Sequence, residues 1–301
     1  MKLPTKLIEE LAVVPGMPAA LASRSTGTTR SGGRRARAGV SPKNLAAGDL
    51  EEFKRELASA QELLYATGRY AVLVILQALD AAGKDGTVKH VMSGVNPQGC
   101  EVVAFKRPSE DELRHDFLWR CQRELPAKGR IGIFNRSYYE EVLVTRVHPD
   151  LHTQQRLPGD TATGRKLWQQ RYEDINAFER HLHRTGTRIV KLFLHVSKDE
   201  QKKRLLERLN DPSKHWKFSS ADLAERARFD DYMQAYEAAI TATSTAWAPW
   251  YVVPADHKYA LRALVGGVLT HTIGQLDLRQ PELGEEARAG LDVARRALLD
   301  E

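Results

Sequence analysis

Ala71-Val72-Leu73-Val74-Ile75-Leu76-Gln77-Ala78-Leu79-Asp80-Ala81-Ala82-Gly83-Lys84-Asp85-Gly86-Thr87 is an apolar, β-branched run that passes through a glycine-bearing loop into a helical stripe of Val88, Val91, Met92 and Val95. The order is strand, loop, helix. A helix start of this kind points backbone N–H groups outward, carries roughly half a positive charge from its dipole, and gains a full charge here from Lys84. Phosphate is the ligand such a turn holds well. The letters depart from the generic G-x-x-x-x-G-K-[ST] loop: Ala78 stands at the first glycine position, and Asp85 replaces the magnesium-ligating hydroxyl. An ordinary βα turn with an exposed lysine fits the same letters. Asp80 weighs against it, because a carboxylate beside a phosphate cradle is repulsive unless a metal or a proton intervenes.

Outward from this stretch, further short apolar runs at 101–105, 130–134, 188–196 and 250–253 alternate with amphipathic segments. Strands that alternate with helices predict an α/β fold with a five-stranded parallel sheet covered on both faces. Leu113, Phe117 and Cys121 predict a helix stopped by Pro126, and 148–164 reads as a surface loop. Phe229, Met233, Tyr236 and Ile240 predict a core-facing helix, with Ser220 as the N-cap of that segment.

Two further clusters bear chemistry. The third strand runs into Asn135-Arg136-Ser137-Tyr138-Tyr139-Glu140-Glu141, and ligands of open parallel sheets bind beyond the carboxyl ends of the strands. An arginine and two acids there suit a phosphate clamp and a divalent metal; they equally suit a solvated helix start. After the fourth strand come Lys202, Lys203, Arg204, Arg208, Lys214, Lys217, Arg226 and Arg228, interspersed with acids. A solvated helix pair explains them, as does a mobile lid that closes basic side chains over a phosphoryl group.

Lys and Arg total 45 against 39 Asp and Glu, but the surplus of six lies entirely within residues 1–48, so pI argues poorly for nucleic acid. Residues 3–14 have the letters of a short helix limited by Pro4 and Pro15, while 22–48 are Ser, Thr, Gly and Arg with few large apolar side chains, so 1–48 is expected to be an N-terminal arm whose 22–48 stretch is flexible and basic. A catalytic domain is expected over 49–280 and a C-terminal helix or tail over 281–301. Two cysteines, no signal-like segment and no membrane-length apolar run place the chain in the cytoplasm with no membrane partner.

Leu76–Thr87, Phe134-Asn135-Arg136-Ser137, Lys214-His215-Trp216-Lys217-Phe218 and Ala248-Pro249-Trp250-Tyr251-Val252-Val253-Pro254-Ala255 together resemble, in order, the signature regions of the polyphosphate kinase 2 family. The likeness runs from about Leu50 to Leu278. It implies a three-layer α/β/α P-loop kinase core, thymidylate-kinase-like, with a helical lid over about 200–230. It implies Asp80, Lys84 and Arg136 as catalytic residues. Phosphate and nucleotide contacts would fall on Ala81, Ala82, Gly83, Asp85, Gly86, Thr87, Asn135, Glu140 and Arg146. Polyphosphate would lie on lid residues Arg204, Arg208, Lys214, Lys217 and Arg226. The implied metal is Mg2+, with Mn2+ as an alternative, on Asp80 and Glu141. Asn135 stands where the larger classes carry aspartate, and with Tyr139-Glu140 it resembles the third class, which phosphorylates both AMP and ADP.

The implied activity is reversible transfer between inorganic polyphosphate and AMP, ADP or ATP, in line and without a covalent intermediate, by a homodimer or homotetramer with no specific nucleic-acid partner. Two rivals stay open at this stage: an ATP-dependent nucleotide kinase on the same core, and a non-catalytic polyanion-binding protein.

Overall fold

Seven consecutive buried residues make β1 (Ala71–Gln77) the central strand of the sheet. A strand buried on both faces must be apolar throughout, and Ala-Val-Leu-Val-Ile-Leu is. The computed structural model describes residues 5–27, 41–217 and 219–301. β2 (Cys100–Ala104), β3 (Ile131–Asn135), β4 (Thr187–His195) and β5 (Trp250–Pro254) complete an all-parallel sheet of order β2-β3-β1-β4-β5. Each strand ends within two residues of its sequence-based bounds. The register pairs Leu76 with Asn135, so the loops after β1 and β3 leave the sheet side by side.

From β1 the chain turns toward β2, and from β4 it turns the opposite way toward β5, so right-handed crossovers put their helices on opposite faces. One face carries α2 (Pro42–Thr67), α3 (Lys84–Val91) and α11 (Lys258–Gly274). Gly266 of α11 lets Phe53 and Leu50 of α2 approach to 3.3 and 3.5 Å of where a Cβ would stand. The other face carries α5 (Glu140–Val147), α7 (Gly164–Arg184) and α10 (Phe229–Thr243). The result is the three-layer α/β/α core that the sequence implied. Above it, α8 (Lys198–Asn210), a 3-10 turn (Pro212–Lys217) and α9 (Ala221–Ala227) form the expected helical cover. α12 (Glu285–Leu299) follows, with no buried residue. Among the described residues no helix is long and apolar enough to cross a membrane.

The short helix expected within 3–14 forms, and the described chain that follows it is more ordered than a flexible arm. α1 (Thr5–Leu11) buries Leu7, Ile8 and Leu11, and Ala12 bridges Tyr251 in the antiparallel sense at the β5 edge. Arg24 donates to the carbonyl oxygens of Glu10, Leu11, Ala12 and Ala19, while the Glu237 carboxylate accepts from the amides of Ala20 and Leu21. The strap is thus held both by buried apolar side chains, Val13, Ala19 and Leu21 among them, and by its backbone polar groups. At the other end α2 starts at Pro42, with Ser41 accepting from the Asn44 amide at 3.2 Å, so the boundary drawn at 48 falls inside a helix. The rest of the expected arm, 28–40, lies outside the described residues.

Three local expectations also change. The 113–121 stripe forms a 3-10 turn (Glu112–Arg114) and the short α4 (Trp119–Gln122), because Ser109 with Glu112, and Asp116 with the Leu118 amide, bond locally in turn geometry. The 148–164 loop contains α6 (Pro149–Thr153). The helix from Ser220 is two helices broken at Arg228, and the Ser220 side chain makes no cap bond.

Arg24→Met removes the donors that fasten the N-terminal strap and is expected to cost about 2 kcal/mol, lowering the thermal midpoint by about 3 °C. An unchanged midpoint would show that the strap contributes nothing to the fold.

Candidate active site

The loop after β1 turns through left-handed backbone at Ala81 (φ 62) and Gly83 (φ 107) before α3 begins. Lys84 folds back over this loop, its buried Nζ donating to the Ala78 carbonyl at 2.7 Å and, more weakly, to Leu79 at 3.4 Å. Burial, and then the nearby Arg136, push its ammonium down from 10.5 to about 8, against the opposing pull of Asp80, Glu140 and Asp85. Thr87 turns its hydroxyl to the Gly83 carbonyl of its own helix at 3.0 Å. The first-turn amides of α3, at Lys84, Asp85 and Gly86, have no acceptor one turn back in the helix, the arrangement that suits a phosphate cradle.

The loop after β3 joins this one at Arg136, itself in left-handed backbone (φ 66). Its amide donates to the Leu76 carbonyl at 3.0 Å. Its guanidinium bridges two carboxylates, Nη2 to Asp80 Oδ1 at 2.9 Å and Nη1 to Glu140 Oε2 at 3.0 Å. Non-glycine residues held in this backbone region cost of order 1–3 kcal/mol and cluster where geometry serves function. Asn135 donates to Asp85 Oδ1 at 2.8 Å, a bond an aspartate at 135 would replace with repulsion. The Gln77 amide, oriented by its surroundings, donates to Glu140 Oε1 at 3.0 Å and accepts from Ser137.

Beneath the loop lies a buried ion pair that sequence reasoning missed. Lys191 of β4 and Glu179 of α7, both fully buried, meet at 2.6 Å. Glu179 also accepts from the Tyr138 and Tyr139 hydroxyls at 2.9 Å, and Lys191 donates to the Thr243 carbonyl at 2.6 Å and the Tyr139 hydroxyl at 3.0 Å. The network fixes the two tyrosines that follow Ser137. Its signal in the sequence is a lysine inside the apolar run Ile189–Leu194.

The structure gives several of the implied site residues partners within the protein. Glu141, expected on a metal, is buried with Oε1 accepting from Arg171 at 3.1 Å and Oε2 from Gln155 at 2.6 Å. Burial raises its pKa, and the acid that bonds Arg136 opposite Asp80 is Glu140. Arg146 donates to the Tyr172 hydroxyl at 2.8 Å on α7. Arg204, expected to bind polyphosphate, is 6% exposed and donates to the carbonyls of Ala81, Ala82, Ala255 and Asp256 and to Glu200. With those acceptors in place its guanidinium braces the loop from behind.

The other lid residues are placed differently. Arg226 donates to Gln201 Oε1 at 2.7 Å, and Gln201 donates in turn to the Asp80 carbonyl at 3.0 Å, which connects α9 to the phosphate loop. Arg208 pairs with Asp222 at 2.6 Å, tying α8 to α9. Lys214 is exposed beside Asp211. The Lys217 side chain lies outside what the structure describes.

On the other side of Arg136 opens a cavity of about 580 Å³. Arg136, Ser137, Tyr138 and Glu140 form one wall, Lys106, Arg107 and Arg120 bring positive charge beside the acids Glu112, Asp116, Asp150 and Glu225, and Leu113 and Phe117 supply apolar surface. The corrected 113–121 segment therefore lines a pocket.

Among the described residues no group of three or more His, Cys, Asp or Glu side chains is placed to hold a metal alone. Mg2+ characteristically takes one or two carboxylates and completes its shell with substrate phosphates and water, so Asp80 beside the phosphate cradle fits a substrate-borne ion.

Comparison with known proteins agrees with this geometry. Residues 42–282 match the family described as Polyphosphate kinase 2 (PPK2). An ADP-polyphosphate phosphotransferase of Rhodopseudomonas palustris is 54% identical over 243 residues, covering 81% of this chain and 84% of the relative. An AMP/ADP-polyphosphate phosphotransferase of Meiothermus ruber is 49% identical over 233 residues, covering 77% and 83%. The crystal structure of Polyphosphate Kinase 2 from Arthrobacter aurescens superposes with a TM-score of 0.83 at 42% identity, covering 96% of each chain.

Because the folded-state value of Lys84 lies below its unfolded one, the ammonium opposes folding fully below pH about 8, and the cost fades as pH rises from there to 10.5 and is absent above it. Relative to wild type, Lys84→Met is expected to be more stable near pH 7 than near pH 11 by about 2–3 kcal/mol, read from denaturant melts. A difference independent of pH contradicts the buried-ammonium account.

Proposed function

The chain belongs to the polyphosphate kinase 2 family, and from that premise we propose that it moves phosphoryl groups between inorganic polyphosphate and AMP or ADP at the Asp80–Arg136–Glu140 bridge. The observation that carries the site assignment is the double role of Arg136, bonded to the phosphate-loop aspartate and forming the wall of the cavity. A group in that position touches whatever passes between donor and acceptor.

In this reading the terminal phosphates of polyphosphate rest on the α3 cradle and on Lys84, which swings off the Ala78 carbonyl to reach them. AMP or ADP occupies the cavity, its phosphate toward Arg136 and its base against Leu113 and Phe117. An oxygen of the nucleotide's terminal phosphate attacks the end phosphorus of the chain. The bridging P–O bond breaks, and the shortened polyphosphate leaves with the electron pair. The transition state is loosely bonded, so the protein's contribution is alignment and charge compensation. Lys84 and Arg136 offset the negative charge on the equatorial oxygens. Mg2+, or Mn2+ in its place, held by Asp80 with phosphate oxygens, would supply further charge neutralisation. The acceptor phosphate displaces one carboxylate from Arg136, and Glu140 is the one on the cavity side. A homodimer or homotetramer belongs to the same proposal and is read by light scattering.

A matrix of donors (polyphosphate, ATP) and acceptors (AMP, ADP), with and without Mg2+, tests the function. Polyphosphate as sole donor is expected to give ADP from AMP and ATP from ADP, and Arg136→Lys to lower kcat at least about a hundredfold. Phosphorylation of AMP by ATP with polyphosphate inert would establish the nucleotide kinase instead, and polyphosphate binding without product would establish a polyanion binder.

A further inference from the structure

Every arginine described so far in the phosphate loop and its cover has its guanidinium engaged: Arg136 by two carboxylates, Arg204 by carbonyls, Arg208 by Asp222 and Arg226 by Gln201. Arg262 differs. It lies on α11, half-buried, with no hydrogen bond, ion pair or ring contact among the described residues. Its Nη2 stands 3.7 Å from the position a Cβ would take on Gly86, in the first turn of α3. That is the turn whose amides form the phosphate cradle. Burial alone lowers its pKa, and no carboxylate opposes the shift. A guanidinium has five donors, and withdrawing them from water without acceptors is unfavourable unless a ligand supplies the oxygens.

One turn earlier on the same helix face stands Lys258, about half exposed, its Nζ 4.0 Å from Glu207 of α8. Arg204 and Lys214 are close enough to depress its pKa alongside burial. Basic groups therefore run from Lys214 on the lid, through Lys258, to Arg262 at the cradle. None of the cavity's lining residues comes from α3, α8 or α11, so this strip serves the donor side.

We infer that Arg262, with Lys258, holds phosphates of the polyphosphate chain beyond the one being transferred, along a track on α11 that leads away from the phosphate loop. The inference rests on the polyphosphate reading above and adds to it where the remainder of the donor lies. Successive phosphates of an extended chain present repeating anionic oxygens, which suit two cations one helical turn apart on a single face. A donor that ends at the cradle gains less from this track than one that continues along it.

The test compares long-chain polyphosphate with tripolyphosphate as donor to AMP, using the full chain. Arg262→Ala is expected to raise KM for the long chain about tenfold, to change KM for tripolyphosphate less than about twofold, and to leave kcat with the long chain near wild type. Arg262→Lys should retain most of the preference, and the wild-type KM for the long chain should rise more steeply with salt than that of Arg262→Ala. An unchanged ratio between the two donors overturns the assignment, as does an equal loss with both, which would mark Arg262 as a support of the cradle. If Arg262→Ala does not fold, Arg262→Gln decides by the same ratio. A wild-type enzyme that uses neither donor contradicts the phosphotransfer reading itself, whereas one that uses both, with variants of unchanged preference, contradicts only the role of Arg262.

Discussion

The site depends on one cation placed between two anions. Asp80, in the loop after β1, and Glu140, at the start of α5, lie 60 residues apart in the chain, and Arg136 bonds both at about 3 Å. Without the guanidinium, two carboxylates facing a phosphate cradle would repel each other and the substrate alike. With it, they hold the arginine at the boundary between cradle and cavity. The sheet makes this possible, since the Leu76–Asn135 register brings both loops out at the same height and the Arg136 amide bonds across to Leu76.

Such an arrangement needs rigid support, because two of its residues, Ala81 and Arg136, occupy backbone conformations that L side chains disfavour. The support comes from behind on both sides. Arg204 spreads its guanidinium over carbonyls of the phosphate loop and of the loop after β5. The Lys191–Glu179 pair, with the hydroxyls of Tyr138 and Tyr139, fixes the segment after Arg136. A buried ion pair is weak support for stability when poorly satisfied, but here both ions have further hydrogen-bond partners, and removal of either would leave an uncompensated buried charge. The Arg226–Gln201–Asp80 chain of bonds then couples the position of α9 to the same loop.

Much of this was legible in the sequence. β1 reads as a strand because burial on both faces demands continuous apolar residues, and the glycine-bearing loop with its lysine follows at once. What escaped was decided by direction, which letters do not carry. Glu140 and Glu141 are neighbours, yet a helix turns about 100° per residue, so one faces Arg136 and the other Arg171. Arg204 and Arg208 share a helix face, but the first reaches inward to backbone carbonyls and the second sideways to Asp222. The short N-terminal helix was legible, but not its docking, because Arg24 bonds carbonyls up to 14 residues away and no local pattern announces that. Asn135 became intelligible only when Asp85 was found beside it.

A double-mutant cycle on Asp80 and Arg136, with kcat for polyphosphate-driven ADP formation as the readout, tests the bridge most directly. If the two side chains act as one unit, Asp80→Asn with Arg136→Met loses little more than the worse single variant, as expected for groups in direct contact. Losses that multiply would mean that the two act independently, and the bridge would then be a contact without a catalytic role.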